Sequence, residues 1–134
     1  GYELSLSKSL KQGSDVWLNN PRVPREASGT SGMTASMNAS VNLSTDDGWI
    51  PEFAKNGVNS FVVPKADYAN MSVYDVDHYD MNKLYDILEN EILPMYYDRP
   101  NEWRQVVKNA MDDVKVQFNS DRMADEYYKL IYNS

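Results

Sequence analysis

Helix and strand patterns alternate along the first half of the sequence, and that alternation limits the fold more than any overall composition does. Residues 2–13, YELSLSKSLKQG, read as an amphipathic helix in which Leu4, Leu6 and Leu10 give a loose apolar face and Gly13 is placed as a C-terminal stop. DVWL (15–18) reads as a short apolar strand, and NNPRVPRE (19–26) as a loop at its carboxyl end, the edge at which open α/β sheets bind ligands. A glycine-bearing turn then opens a helix, MTASMNAS (33–40), with Met33 and Met37 one turn apart on one face. VNLS (41–44) is a second strand, TDDGW (45–49) a turn with Gly48 at its natural position, IPEFAKNG a short irregular helix, and NSFVVP (59–64) a third strand. The pattern predicts an α/β fold with short parallel strands near 15–18, 41–44 and 59–63, followed by three helices. It opens in mid-alternation and offers few strands for a parallel sheet, so the chain is expected to be the C-terminal piece of a larger protein.

After residue 64 the character changes. KADYANMSVYDVDHYD is polar, acidic and aromatic and reads as a connector loop. Three helical patterns follow. Over 79–97, Met81, Leu84, Tyr85, Leu88, Ile92 and Met95 recur at intervals of three or four, with Pro94 expected to bend or shorten the helix. Over 100–117, Pro100 suits a first turn and Trp103, Val106, Val107, Ala110, Met111 and Val114 form a stripe. Over 120–132, Met123, Tyr127, Tyr128 and Ile131 repeat, with Asn119 or Ser120 as the cap. Residues 1–64 therefore read as the part carrying the strands, and 65–134 as a connector and terminal helices of the same domain.

The balance of residue types narrows the partners. A net charge of −7 and a pI near 4.6 argue against nucleic acid or an anionic membrane, both of which select basic surfaces. The 134 residues include no cysteine, which excludes disulfides and thiolate metal sites and fits a cytoplasmic setting. No apolar run approaches the length of a bilayer span, and the first residues lack a secretory signal's apolar core.

The loop EASGTSG (26–32) carries the chemistry. A glycine-bearing turn opening a helix presents unpaired N–H groups in one direction, where the helix dipole adds positive potential, so phosphate is a natural guest. Ser28, Thr30 and Ser31 offer hydroxyls, and Glu26, which would repel phosphate, suits the hydroxyls of a neutral polyol. The pattern thus points to an anion on a hydroxyl-rich ligand; the plain alternative is a flexible surface loop.

EASGTSGM followed by a small-residue helix and VNLSTDDGW resembles the α-glucan (glycogen, starch, maltodextrin) phosphorylases, and DVWLNNPRVPREASGTSGM resembles their short bacterial and archaeal branch in particular. The likeness continues through LYDILENEILPMYYD and DRMADEYY and so covers nearly the whole chain. It implies the last part of the second domain of a GT-B fold, two Rossmann-like domains facing a cleft. It also implies glucosyl transfer, with retention, between an α-1,4-glucan end and inorganic phosphate, assisted by the phosphate of pyridoxal phosphate. By that resemblance Glu26, Ser28 and Gly29 would bind hydroxyls of the transferred glucose. Thr30, Ser31 and Gly32 would lie by the phosphates through backbone N–H groups. The lysine that holds the cofactor as an imine would fall at position 34.

Position 34 is Thr34. Threonine forms no imine, so covalent attachment there is ruled out and the cofactor need not be present at all; Lys11 and Lys55, the nearest lysines in sequence, stand outside the motif. Three readings stay open: a phosphorylase-like protein without a covalent cofactor, a nucleotide-sugar-dependent glycogen or starch synthase whose loop cradles a diphosphate, and a non-catalytic glucan-binding remnant. The expected partners are α-glucan, a glucosyl phosphate or nucleotide-sugar, and the absent N-terminal domain, with a homo-oligomer also allowed. No catalytic residue is assigned within the chain, and the isolated piece is expected to be inactive.

Other features read blandly. His78, the only histidine, with Asp75, Asp77 and Asp80 reads as exposed acidic loop before metal site, and no metal is expected. Asp46 and Asp47 read as turn formers before ligand contacts, while Arg22 and Arg25 read equally as phosphate neighbours and as solvated loop arginines. Tyr96, Tyr97, Tyr127 and Tyr128 read as half-buried packing residues before sugar platforms. The sequons at 38, 42 and 70 read as chance, the first two lying in elements expected to be buried.

Overall fold

A computed structural model describes residues 3–23, 25 and 29–133. Three parallel strands lie in the order β1 (Val16–Asn19), β2 (Val41–Thr45), β3 (Ser60–Val63). Val16 stands opposite Val41, and Leu43 lies between Leu18 and Phe61. α1 (Leu4–Gly13) precedes the sheet, α2 (Ser31–Met37) crosses from β1 to β2, and the short α3 (Ile50–Phe53) lies between β2 and β3. α4 (Val73–Ile87) then runs through a π-helical turn, Leu88–Ile92, into α5 (Leu93–Asp98); α6 (Pro100–Gln117) and α7 (Ser120–Tyr127) follow, and α7 ends in a second π turn, Tyr128–Tyr132. This is the expected α/β organisation of a three-stranded parallel sheet with helices after it.

The two-residue period of the strands explains how the layers divide. Val41 and Leu43 of β2 and Phe61 and Val63 of β3 point to one side, where they pack with Ile87, Ile92, Trp103 and Val106 from the helices that follow the sheet. Phe61 stacks on Trp103, with ring centroids 6.5 Å apart. A second apolar cluster joins Trp49, Ile50 and Phe53 to Val114, with Met33, Val62 and Phe118 against it. α6 contributes to both clusters through one stripe, Trp103, Val106, Ala110 and Val114, all buried. Every residue of β2 is buried, so its polar side chains need partners inside the protein: Ser44 Oγ donates to the Thr45 carbonyl and accepts from Asn19, and Thr45 Oγ1 donates to the Pro21 carbonyl.

Several expectations are corrected. The acidic stretch DVDHYD is helix, not loop: α4 starts at Val73 because Ser72 caps it, accepting from the Asp75 N–H and donating to its carboxylate. Within α4, Met81 and Tyr85 are exposed, so the apolar stripe there is narrower than its period suggests. The helix continues through Pro94, whose missing N–H is met by a change of register in the π turn just before it. Leu4, Leu6 and Leu10 are all exposed, as are Met123, Tyr127, Tyr128 and Ile131. Met37 and Met111 are also exposed, while Met33 packs inward. Of the tyrosines, Tyr96 packs edge-on against Trp103 whereas Tyr97 is exposed. Asn42 is buried as expected, but Asn38 is only half-buried, its amide donating to the Thr34 carbonyl.

Candidate functional site

The loop that follows β1 and the helix it opens sit at the carboxyl end of the parallel strands, where parallel topology leaves room for a ligand. Glu26, Ala27 and Ser28 lie outside the described residues, so the structure places Gly29, Thr30, Ser31, Gly32 and Thr34 of the motif. The helix begins two residues earlier than the sequence suggests, with Thr30 as its N-cap and Ser31 and Gly32 in its first turn. The Thr30 side chain makes no capping bond to that turn. Gly29, Thr30 and Ser31 are exposed and Gly32 is buried.

Gly32 is buried because the protein closes on it. A Cβ there would fall 2.5 Å from Asn42 Oδ1 and 2.7 Å from Trp49 Cζ2, closer than packed atoms allow, so the position needs glycine. Asn42, on the face of β2 turned to α2, donates from Nδ2 to the Gly32 carbonyl at 3.0 Å and to Ser36 Oγ at 2.7 Å. Trp49 Nε1 donates to the Gly29 carbonyl at 3.2 Å. Neither Asn42 nor Trp49 stands out in the sequence as a site residue. The available signals are an amide side chain set between two apolar strand residues, Val41 and Leu43, and a tryptophan placed directly after a turn glycine.

Thr34 faces solvent on α2, and its hydroxyl donates to the Ser31 carbonyl one turn back, at 2.9 Å. No lysine lies between residues 12 and 54. Lys55 pairs with Asp113 at 3.0 Å, and Lys11 sits with its Nζ 5.9 Å from the centroid of the Trp17 ring. Lys11 does share a wall of a cavity of about 240 Å³ with Ser31, Trp17 and Leu10. The loop and α2 thus offer hydroxyls and main-chain groups and no amine, and they do not fit imine attachment of an aldehyde cofactor.

Arg22 grips Asp77 of α4 through two bonds, 2.8 and 2.6 Å, and Lys65 pairs with Asp46 at 3.2 Å. A cavity of about 440 Å³ opens beside Arg22, lined by Asn20, Pro21, Asp77, Asp80 and Met81, and none of Gly29–Gly32 lines it. Asp80 is 7% exposed and its Oδ1 has no partner; burial, and secondarily the Asp77 charge, push its carboxyl above the usual aspartate range. Asp47 also buries an unpartnered carboxylate oxygen. Its main chain shapes the turn, its N–H donating to the Thr45 carbonyl and its carbonyl accepting from Ile50. His78 is exposed and bonds to Asn82, and among the described residues no group of three or more acidic, histidine or cysteine side chains is arranged to hold a metal. Among the described residues no helix is long and apolar enough to cross a membrane.

No family model matches the sequence. Individual relatives do. The chain is 38% identical over 138 residues to a maltodextrin phosphorylase of Thermococcus litoralis, covering 98% of this chain and 16% of that protein. It is 40% identical over 137 residues to a glycogen phosphorylase of Aquifex aeolicus, covering 98% and 19%. It is also 47% identical over 133 residues to a protein of Methanocaldococcus jannaschii named only as uncharacterised, covering 98% and 24%. The chain is therefore similar, along nearly its full length, to a segment of glycogen and maltodextrin phosphorylases, and it spans less than a quarter of the length of these curated relatives.

Proposed function

We propose that this chain is the sugar- and phosphate-binding segment of a larger retaining glucosyltransferase, phosphorylase-like, that moves a glucosyl unit between the end of an α-1,4-glucan and phosphate. The observation that carries the reading is the 38–40% identity, over 98% of the chain, to proteins named maltodextrin and glycogen phosphorylases. The loop's place at the carboxyl edge of a parallel sheet supports it. In this reading residues 1–64 belong to the second Rossmann-like domain of a GT-B protein and 65–134 supply its connector and terminal helices. Glu26, Ser28 and Gly29 take hydroxyls of the transferred glucose, and Thr30, Ser31 and Gly32 present main-chain N–H groups to phosphate. The remaining partners, α-glucan and the preceding domain, complete a cleft that this segment alone does not form, so the isolated chain turns over no glucan. A cytoplasmic setting goes with these substrates.

Thr34 favours a second reading. It stands where the resembled family keeps the lysine for pyridoxal phosphate, and its hydroxyl is bonded within its own helix. Main-chain N–H groups without a cofactor amine suit the diphosphate of a nucleotide-sugar, as in a glycogen or starch synthase.

Donor dependence of the full-length parent protein tests both. A glucan primer is offered with glucose 1-phosphate plus pyridoxal phosphate, or with ADP-glucose or UDP-glucose, and chain extension is measured. Extension from glucose 1-phosphate is the expected result. Extension from a nucleotide-sugar alone moves the assignment to a synthase, and glucan binding without extension from any donor leaves a non-catalytic binding module.

A further inference from the structure

The two side-chain bonds that reach the loop from beneath have a consequence for what it presents above. In a trans peptide the carbonyl of one residue and the N–H of the next point in opposite directions. Trp49 Nε1 draws the Gly29 carbonyl inward at 3.2 Å, so the Thr30 N–H is turned the other way, out from the protein. At the other end of the tetrapeptide Asn42 Nδ2 donates to the Gly32 carbonyl at 3.0 Å, within the first turn of α2. The indole is well placed for this task because it is itself wedged: 6% exposed, tilted against Phe53 at 5.2 Å and edge-on to Phe118 at 5.5 Å between ring centroids. On the same edge as Nε1, ring carbon Cζ2 meets Gly32, where even a methyl group would collide with it. Trp49 thus ties three elements together, the loop, α3 and the end of α6, and it donates its only polar hydrogen to the loop.

We propose that Trp49 is a positioning residue for the Gly29–Thr30 peptide, fixing the plane of that peptide so that the Thr30 N–H faces the ligand. The identity of the ligand rests on the function proposed above; the fastening of the loop does not. Losing one neutral hydrogen bond of this kind is expected to weaken ligand binding about fivefold.

The test uses the full-length parent protein with two replacements. Trp49→Phe removes the N–H and part of the ring; the benzothiophene isostere of tryptophan at position 49 removes the N–H and keeps the shape. Hydrogen exchange of peptides spanning 29–34 reads the fastening, and steady-state kinetics with glucose 1-phosphate or a nucleotide-sugar read its effect on binding. The expected result, for the isostere above all, is faster exchange and a rise of about fivefold in KM for the donor with kcat kept, the pattern of lost ground-state binding. Unchanged exchange in the isostere overturns the proposal whatever the kinetics. Faster exchange with unchanged KM and kcat overturns the positioning role as well. Faster exchange in a parent protein that uses neither donor supports the fastening by Trp49 and overturns the functional reading instead.

Discussion

Ala39 occupies a backbone conformation that side chains avoid. Its φ is 69°, one residue past the C-cap of α2, and the Ser40 N–H donates to the Ala35 carbonyl at 3.1 Å while its own N–H donates to the Ser36 carbonyl at 3.3 Å. This is the paired bonding of a Schellman ending, whose left-handed residue is ordinarily glycine. A Cβ in that region costs roughly 1–2 kcal/mol, partly offset because glycine is freer in the unfolded chain. Ala39→Gly is therefore expected to stabilise the end of α2 by about 0.5–1 kcal/mol. Slower hydrogen exchange of the α2 amides in the full-length parent would register it, and faster exchange would mean that the Ala39 methyl makes a contact worth more than its strain. Among the described residues the other left-handed positions, Gly48 and Gly57, are glycines already. Gly48 is legible in the sequence because turn chemistry is local; Ala39 is not, because nothing about an alanine announces a positive φ.

At the scale of elements, β3 is fastened to α6 by a polar pin. Asn59 donates to the Phe53 carbonyl at 3.1 Å and to Asp113 at 2.8 Å, and it accepts from the Lys55 N–H at 2.8 Å. The Lys55 ammonium closes the group onto Asp113, and its hydrogen bond, with that from Asn59, holds the Asp113 carboxyl below the ordinary aspartate value of 3.8. A depressed carboxylate pKa favours the folded state above the unfolded value, and the contribution is lost as pH falls through the folded value. Asp113→Asn should thus lower stability near neutral pH by about 1 kcal/mol, modest because the pair is partly exposed. The difference from wild type should close as the medium is taken below pH 3.8. Thermal unfolding of both proteins across that range checks it; a constant difference would mean that amide geometry, not charge, makes the contact. Elements of this kind were largely readable in the sequence. All three strands and the α6 stripe follow from periodicity, because Val41, Leu43, Phe61 and Trp103 are apolar at the right spacing and are buried. The start of α4 was not, since it depends on one serine cap in an acidic run that lacks a strong apolar period. The loop at 26–32 was legible as a motif, yet the residues that hold it, Asn42 and Trp49, come from other elements, and only their approach in space reveals them.

Over the whole molecule, amphipathic sequence and burial part company at two places. α1 has a leucine face and no buried residue, with Leu4 78% exposed, and the last helical turns leave Tyr128, Leu130, Ile131 and Tyr132 open, the last at 75%. β1 pairs with β2 alone among the described strands, and Leu18 on it is exposed, so among the described residues Val16–Leu18 form a sheet edge next to apolar surface. Open strand edges and contiguous apolar patches both favour association. The chain, expressed by itself, is expected to self-associate with rising concentration, as sedimentation velocity would detect. Two sets of substitutions separate the causes. Leu18→Lys places a charge on the edge strand, where natural sheets use lysine to block pairing, and should reduce association if strands meet edge to edge. Leu4→Ser, Leu6→Ser and Leu10→Ser together should reduce it if the helix face is the sticky surface, and they leave the sheet untouched. Relief by Leu18→Lys alone would identify the strand edge as the adhesive element, and relief by the leucine set alone would identify α1. A chain that stays monomeric at every concentration would show that its −7 charge outweighs both surfaces.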